Sequence, residues 1–121
     1  MKKMTDKIVV LVTCGRAPEA KRIARRLVQQ RLAACVNVLD AKVHSTYRWK
    51  GKVETAAEHL LLIKSSGKLL PRIRREIERL HSYDVPEVIA LPIADGSPAY
   101  LAWLADCLRA VAPRATSRKQ R

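Results

Sequence analysis

The sequence has no phenylalanine, and only five of its 121 residues are aromatic. RNA-recognition modules stack bases on aromatic side chains of their sheet, so this scarcity argues against that class. Apolar runs break within about ten residues, whereas a membrane-spanning helix needs roughly 20. The sequence also lacks a P-loop, a GxGxxG fingerprint, an HExxH motif and a Ser/His/Asp signature. We therefore expect no catalytic activity and no membrane association.

Cysteine is also scarce. The chain has an odd number of cysteines, which are widely spaced and form no CxxC pair: Cys14, Cys35 and Cys107. This pattern excludes a disulfide framework and a zinc knuckle, and it indicates free thiols in a reducing compartment. The apolar run at 8–12 is too short for the core of a signal peptide, and Arg16 follows closely. We expect a soluble, cytoplasmic protein.

Acidic residues are outnumbered, with 11 Asp and Glu against 24 Lys and Arg, for a net charge of +13. Residues 113–121 hold four basic groups and no acid, which is typical of a disordered tail. We expect a single domain over 1–112, with residues 1–6 loose. A basic body with a basic tail attracts polyanions non-specifically, so a nucleic-acid-binding module is one alternative function.

Hydrophobic periodicity predicts a mixed α+β domain. A β-branched run at 7–13 indicates a buried strand, and the next segment has apolar residues at helical spacing behind Pro18. A second helix is expected after Ser65 or Ser66 as N-cap, a strand at 87–93, and a last helix capped within 95–98. The order βαββαβ with an added C-terminal helix is the ferredoxin-like arrangement.

The middle of the chain predicts one long hairpin over 36–64. Polar and β-branched residues alternate on both arms, with a bulge expected at 40–41 and a tight turn at Lys50 and Gly51. His44 and His59 fall on these arms, where we expect them to face solvent or an interface. Such a hairpin exceeds the sheet of a small domain, and bare strand edges pair with other chains. The sequence therefore indicates an oligomer.

Several separated motifs resemble the CutA family of divalent-cation-tolerance proteins. They are RLAACVN at 31–37, YRWKGKVE at 47–54, IKSS at 63–66, HSYDVPEV at 81–88 and DGSPAYLAWL at 95–104. The resemblance covers most of residues 8–109. It implies a ferredoxin-like fold, a tight homotrimer with clefts between subunits as in the PII signalling proteins, and binding of copper(II) or a similar divalent cation. A PII-like small-molecule signalling function is the second alternative.

The resemblance also implies site residues. His81 occupies the motif histidine and is the first candidate metal ligand. The family cysteine at the end of the first strand falls on Val12 here, so Cys14, two positions later, is the candidate thiol ligand. The remaining matched polar residues are expected to line a cleft between subunits, and they are Cys35, Trp49, Glu58, Lys64, Tyr83 and Glu87.

Three roles remain open for the cleft residues. Lys64 could pair with Glu58 or Glu87 across subunits and fix the register of the trimer. It could instead attract an anionic ligand that Tyr83 orients. In a third interpretation Lys64, Tyr83 and Glu87 form an acid–base set of an enzyme.

Overall fold

A computed structural model describes residues 5–109, except the side chains of residues 41 and 42. The tail predicted at 113–121 and most of the loose segment predicted at 1–6 lie outside these residues. The strands and helices are β1 Lys7–Cys14, α1 Ala17–Gln29, β2 Cys35–Trp49, β3 Lys52–Ser66, α2 Leu70–Leu80, β4 Ile89–Pro92 and α3 Pro98–Cys107. Within this range no helix is both long and apolar enough to cross a membrane.

The four strands form one antiparallel sheet in the order β2-β3-β1-β4. The two central strands, β1 and β3, are adjacent although α1 and β2 separate them in sequence. This is the split βαβ topology, with α3 as an addition after β4. The predicted α+β, ferredoxin-like fold class is therefore confirmed.

The core lies between one side of the sheet and the helices α1 and α2. Ile23 and Leu27 of α1 are fully buried, as are Ile73 and Ile77 of α2. They pack on alternate β1 and β3 residues, because successive strand side chains point to opposite sides. Burying each such side chain stabilises the fold by about 1.5–3 kcal/mol relative to exposure. The helices thus fix which strand residues remain on the other side.

That other side, which we call the open side of the sheet, faces away from α1 and α2. It carries apolar residues from all four strands. Exposed fractions are 39% for Leu39 and 50% for both Ile89 and Leu91, while Leu60 and Leu62 are half-buried. A large exposed apolar surface marks an interaction site.

The long hairpin exists as predicted and extends past the rest of the sheet. Within β3, only residues 59–66 pair with β1. Residues 43–58 therefore form a two-stranded arm of β2 and β3 alone. The register shifts between Leu39 and Val43, where the bulge was expected. Lys50 and Gly51 make the turn with φ values of 51° and 83°. The arm holds part of the site at its base.

The start of the second helix differs from the prediction. Ser65 and Ser66 end β3 instead of capping the helix, and the Ser65 hydroxyl donates 2.6 Å to the carbonyl of Leu32. A 3-10 turn at Gly67–Leu69 then leads into α2, whose first turn contains Pro71. The tertiary contact with Leu32 outweighs the local capping tendency of serine.

The end of the segment 1–6, which the sequence predicted to be loose, is hydrogen-bonded to the rest of the fold. The Thr5 hydroxyl donates 2.7 Å to the carbonyl of Ile93, and Gly67 N–H donates 2.8 Å to the carbonyl of Asp6. Thr5 and Asp6 are therefore part of the ordered fold.

Candidate functional site

The loop 81–87 connects α2 to the last strand and lies beside the end of β1. Glu19, in the first turn of α1, holds this loop although its own side chain is 8% exposed. Its carboxylate accepts a hydrogen bond of 2.6 Å from the backbone N–H of Ser82 and one of 2.9 Å from the Ser82 hydroxyl. Two hydrogen bonds to one carboxylate fix the start of the loop, and charged acceptors make such bonds stronger than neutral ones.

His81, the first residue of the loop, is buried and uses both ring nitrogens. Nε2 lies 2.8 Å from the carbonyl oxygen of Thr13, and the backbone N–H of Tyr83 donates 3.1 Å to Nδ1. A carbonyl can only accept, so Nε2 carries the hydrogen and Nδ1 offers its lone pair to Tyr83. Both ring nitrogens are therefore engaged within the chain, and the ring serves to position the loop.

The structure brings the two predicted metal ligands together. Cys14 Sγ lies 3.5 Å from His81 Nε2 in a buried position. Desolvation, with Glu19 and Glu58 nearby, raises the pKa of the Cys14 thiol to about 12. Metals bind the thiolate and a free imidazole lone pair, and this pair offers neither in its observed state. As arranged, Cys14 and His81 do not fit a divalent cation.

The two other histidines do not complete a metal site. His44 is exposed on β2, whereas His59 pairs with Cys14 across β1 and β3, and its Nδ1 is buried without a hydrogen-bond partner in the described chain. Among residues 5–109, no three His, Cys, Asp or Glu side chains are close enough to hold a metal ion.

Tyr83 crosses from the loop to the hairpin. Its hydroxyl donates 2.8 Å to Oε2 of Glu58, a β3 carboxylate with only 6% exposure. Burial and the Glu58 hydrogen bond raise the pKa of the Tyr83 phenol well above its usual value. Gly15 leaves room for this geometry, because a Cβ there would lie 3.0 Å from the Tyr83 oxygen.

A cavity of about 590 Å³ opens beside this hydrogen bond, and we call it the Tyr83 cavity. Four of the six predicted cleft residues line it: Trp49, Glu58, Tyr83 and Glu87. The lining residues that the sequence did not indicate are Thr13, Ser45, Thr46, Tyr47, Asp84 and Val85. Its walls therefore combine hydroxyls, aromatic rings and carboxylates.

The Tyr83 cavity is acidic in a strongly basic protein. Glu58, Asp84 and Glu87 line it, and no lysine or arginine of the described chain does. Burial and the charge of Glu58 raise the pKa of the Glu87 carboxyl. Repulsion between carboxylates that share a cavity is relieved when one of them is protonated or when a cation binds between them.

The other two predicted cleft residues, Cys35 and Lys64, lie at the far end of the sheet. They pair with each other across β2 and β3, and the Lys64 ammonium donates to the Asn37 side chain. Lys64 and Glu58 are six residues apart on one strand, which is about 20 Å. One chain therefore forms neither a Lys64–Glu58 pair nor a compact Lys64, Tyr83 and Glu87 set.

Glu19 and Gly15 are two further residues that sequence reasoning missed. The sequence does carry a signal for Glu19, because this residue directly precedes Ala20 of the apolar stripe of α1. A carboxylate buried at such a position needs a hydrogen-bond partner. Gly15 carries no such signal, since its role depends on a tyrosine 68 positions later.

Residues 8–107 match the model of a family described as CutA1 divalent ion tolerance protein. The chain is 45% identical over 107 residues to the chloroplastic protein CutA of Arabidopsis thaliana, covering 88% of this chain and 58% of that relative. It is 46% identical over 96 residues to the divalent-cation tolerance protein CutA of Thermus thermophilus, covering 79% of this chain and 92% of that one. The chain thus spans less than two thirds of the plant relative.

Solved structures give the same result. CutA from Xylella fastidiosa superposes with a TM-score of 0.83 at 41% identity, covering 87% of this chain and all of that one. CutA1 from Oryza sativa has a TM-score of 0.83 at 44% identity, with coverages of 89% and 98%. The family match over residues 8–107 includes the loop and the hairpin that form the cavity.

Proposed function

Because the chain belongs to the CutA1 divalent ion tolerance family, we propose that it is a cytoplasmic, non-catalytic protein that responds to divalent cations. The observation that carries the proposal is the Tyr83 cavity, whose carboxylates have no basic neighbour in the described chain. In this proposal the protein works as a homotrimer, and the cavity opens between subunits.

We place the cation contact at Glu58 and Glu87, and not at Cys14 and His81. Carboxylate oxygens bind hard and borderline divalent cations directly. The Cys14 thiol would first have to lose its proton. Burial and the charge of Glu58 raise the pKa of Glu87, and a cation bound between the two carboxylates would offset their repulsion. Two protein carboxylates with water completing the shell make a weak site, which suits a response to excess copper(II) or a similar ion.

A small-molecule signalling function is the second candidate, and the cavity supports it. A volume of about 590 Å³ is within the range of small-ligand sites. Trp49 and Tyr47 provide aromatic walls, and each is 43% exposed. A ligand could stack there and donate hydrogen bonds to the carboxylates. This function and the cation response use the same residues.

Two features support the homotrimer. The open side exposes Leu39, Ile89 and Leu91, and no third strand of residues 5–109 pairs with the hairpin arm 43–58. A second copy would bury both surfaces. Sedimentation equilibrium at micromolar concentration is expected to give three times the chain mass, and a monomer would contradict this part of the proposal.

Calorimetric titration of copper(II) and manganese(II) tests the cation contact. We compare the wild type with Glu87→Gln and Cys14→Ser, and use Glu78→Gln on the exposed face of α2 as control. Losing one of two carboxylate ligands weakens binding about tenfold or more, so Glu87→Gln should do so. Cys14→Ser and Glu78→Gln should bind like the wild type. Weakened binding in Cys14→Ser alone would place the metal at the Cys14 and His81 pair instead.

A further inference from the structure

The two helices that cover the sheet present arginine to solvent. Six exposed arginines of α1 and α2 form what we call the arginine face: Arg22, Arg25, Arg26, Arg72, Arg75 and Arg79. Arginine is well suited to phosphate, because its planar guanidinium donates two parallel hydrogen bonds to the oxygens of one group. The choice of arginine over lysine on both helices therefore points to a phosphate ligand.

Two hydrogen bonds show that the helices lie side by side. The Arg22 guanidinium donates a hydrogen bond of 3.2 Å to the carbonyl of Leu80, and the Gln30 amide, directly after α1, donates one of 3.0 Å to Glu76. Residues later in α1 contact residues earlier in α2, so the two helices run antiparallel. The axes of packed helices are about 8–10 Å apart. Arginines from both helices therefore belong to one continuous surface.

The charge of the arginine face is largely unbalanced. Its one carboxylate, Glu76, lies 2.6 Å from Arg79 and 4.0 Å from Arg26. Among residues 5–109, no carboxylate lies within ion-pair distance of Arg25, Arg72 or Arg75. Like charges on neighbouring turns of a helix repel one another. An anionic partner that bridges the two helices would relieve this repulsion.

The face does not have the character of a membrane-binding surface. A helix that binds at a bilayer surface buries an apolar face among the lipids. Here Ile23 and Ile77 belong to apolar faces that are already buried against the sheet. Among residues 5–109, Val28 is the only branched aliphatic or aromatic side chain that α1 or α2 exposes. The arginine face therefore offers charge without an apolar anchor.

A nucleic-acid duplex fits better than a single strand. Neither helix contains an aromatic residue, and proteins that hold single strands stack the bases on aromatic side chains. A duplex keeps its bases inside and presents its phosphates. About 10 Å of duplex carries about six phosphate charges, and Arg72 to Arg79 span about 10 Å of α2. The charge densities of the two surfaces are therefore of the same order.

We propose that the arginine face binds the phosphate backbone of double-stranded nucleic acid without reading its base sequence. The proposed homotrimer covers the open side of the sheet, whereas α1 and α2 lie on the other side, so the face stays accessible in that assembly. None of the six arginines lines the Tyr83 cavity. The inference is therefore independent of the proposed cation response.

Salt-dependent binding tests the face. Fluorescence anisotropy follows a labelled short DNA duplex of arbitrary sequence as the full-length protein is added at several salt concentrations. The triple variant Arg25→Gln, Arg72→Gln and Arg75→Gln removes three charges and no ion pair of residues 5–109. It should bind about tenfold or more weakly than the wild type. The slope of log affinity against log salt should become shallower by about 2–3.

A second triple variant controls for net charge. Lys50→Gln, Lys52→Gln and Arg109→Gln remove the same charge at exposed positions outside the arginine face. This variant should keep the wild-type slope, because charges more than about 10 Å away are largely screened. Equal loss of affinity in the two triple variants would mean that net charge alone binds the duplex, and it would overturn the proposal.

The basic segment 113–121 needs its own control. Arg114→Gln, Arg118→Gln, Lys119→Gln and Arg121→Gln neutralise it within the full-length chain. In this background, loss of Arg25, Arg72 and Arg75 should still make the slope shallower by about 2–3. If that loss has no effect there, the C-terminal segment carries the binding and the arginine face does not.

Two other polyanions decide the class of partner. The wild type is titrated with vesicles of phosphatidylserine and phosphatidylcholine, and with single-stranded oligodeoxythymidine, at matched concentrations of anionic phosphate. The DNA duplex should bind more tightly than either. Tighter binding to the vesicles would assign the face to a membrane, and tighter binding to the single strand would show that a rigid backbone is not recognised. Either result overturns the duplex assignment.

Discussion

Glu19 and Ser82 are 63 positions apart in the sequence and are joined by two hydrogen bonds. The contact ties the first turn of α1 to the loop 81–87. His81 and Tyr83 follow in position because the loop begins at this contact, and Tyr83 then reaches Glu58. The Tyr83 cavity therefore depends on a carboxylate that does not line it.

Replacing Glu19 should destabilise the whole domain. Glu19→Ala removes two hydrogen bonds to a charged acceptor, each worth about 1.5–3 kcal/mol, so we expect the free energy of unfolding to fall by about 3–6 kcal/mol. Urea unfolding at fixed protein concentration measures this change. Glu78→Ala on the exposed face of α2 is the matched control, and an equal effect in both variants would contradict the role of Glu19.

Gly15 should be required for the position of Tyr83. In Gly15→Ala the new methyl group would lie 3.0 Å from the Tyr83 oxygen, so the phenol must shift, and we expect the shift to weaken its hydrogen bond to Glu58. Ultraviolet titration of the tyrosines measures the outcome, since the wild type should show one of its three phenols ionising at higher pH than the others.

In Gly15→Ala that delayed ionisation should move back toward ordinary values, and in Tyr83→Phe it should disappear. Tyr47→Phe, also in the cavity, should leave it in place. A delayed phenol that persists in Tyr83→Phe would mean that another tyrosine carries the raised pKa.

Glu87 should lower stability as the pH rises. Burial and the charge of Glu58 raise the pKa of Glu87 in the folded protein above its unfolded value of 4.5. At pH values between these two pKa values, the native state therefore binds more protons than the unfolded state. Stability is therefore lost as the pH rises through that window. Glu87→Gln should unfold at a higher temperature than the wild type at pH 7 and at the same temperature at pH 4. An equal difference at both pH values would exclude titration of Glu87 as the cause.

Cys14 should be the least reactive thiol. It is fully buried and its pKa is raised to about 12, whereas Cys35 and Cys107 are half-buried. At pH 8 iodoacetamide should modify the native protein slowly at Cys14 and rapidly only after unfolding, because the thiolate is the reactive form. Peptide mass spectrometry identifies the labelled sites. Rapid native labelling of Cys14 would reopen its assignment as a metal ligand.

Residue types and spacing were enough to predict the architecture. Alternation on both hairpin arms, the helical stripe behind Pro18 and the Lys50 and Gly51 turn each correspond to an element of the structure. These features are local, so they follow from periodicity and turn chemistry. Ser65 and Ser66 show the limit, because their buried contacts in β3 involve residues that are distant in sequence.

For the site, the sequence indicated the right loop but not the relationships within it. His81, Tyr83 and Glu87 exceed what a turn requires, and all three lie at or beside the Tyr83 cavity. Only the tertiary structure showed that His81 uses both nitrogens internally and that Gly15 makes room for Tyr83. Distances between residues far apart in the chain depend on strand order and register. Those are fixed by packing over the whole domain, which no local pattern encodes.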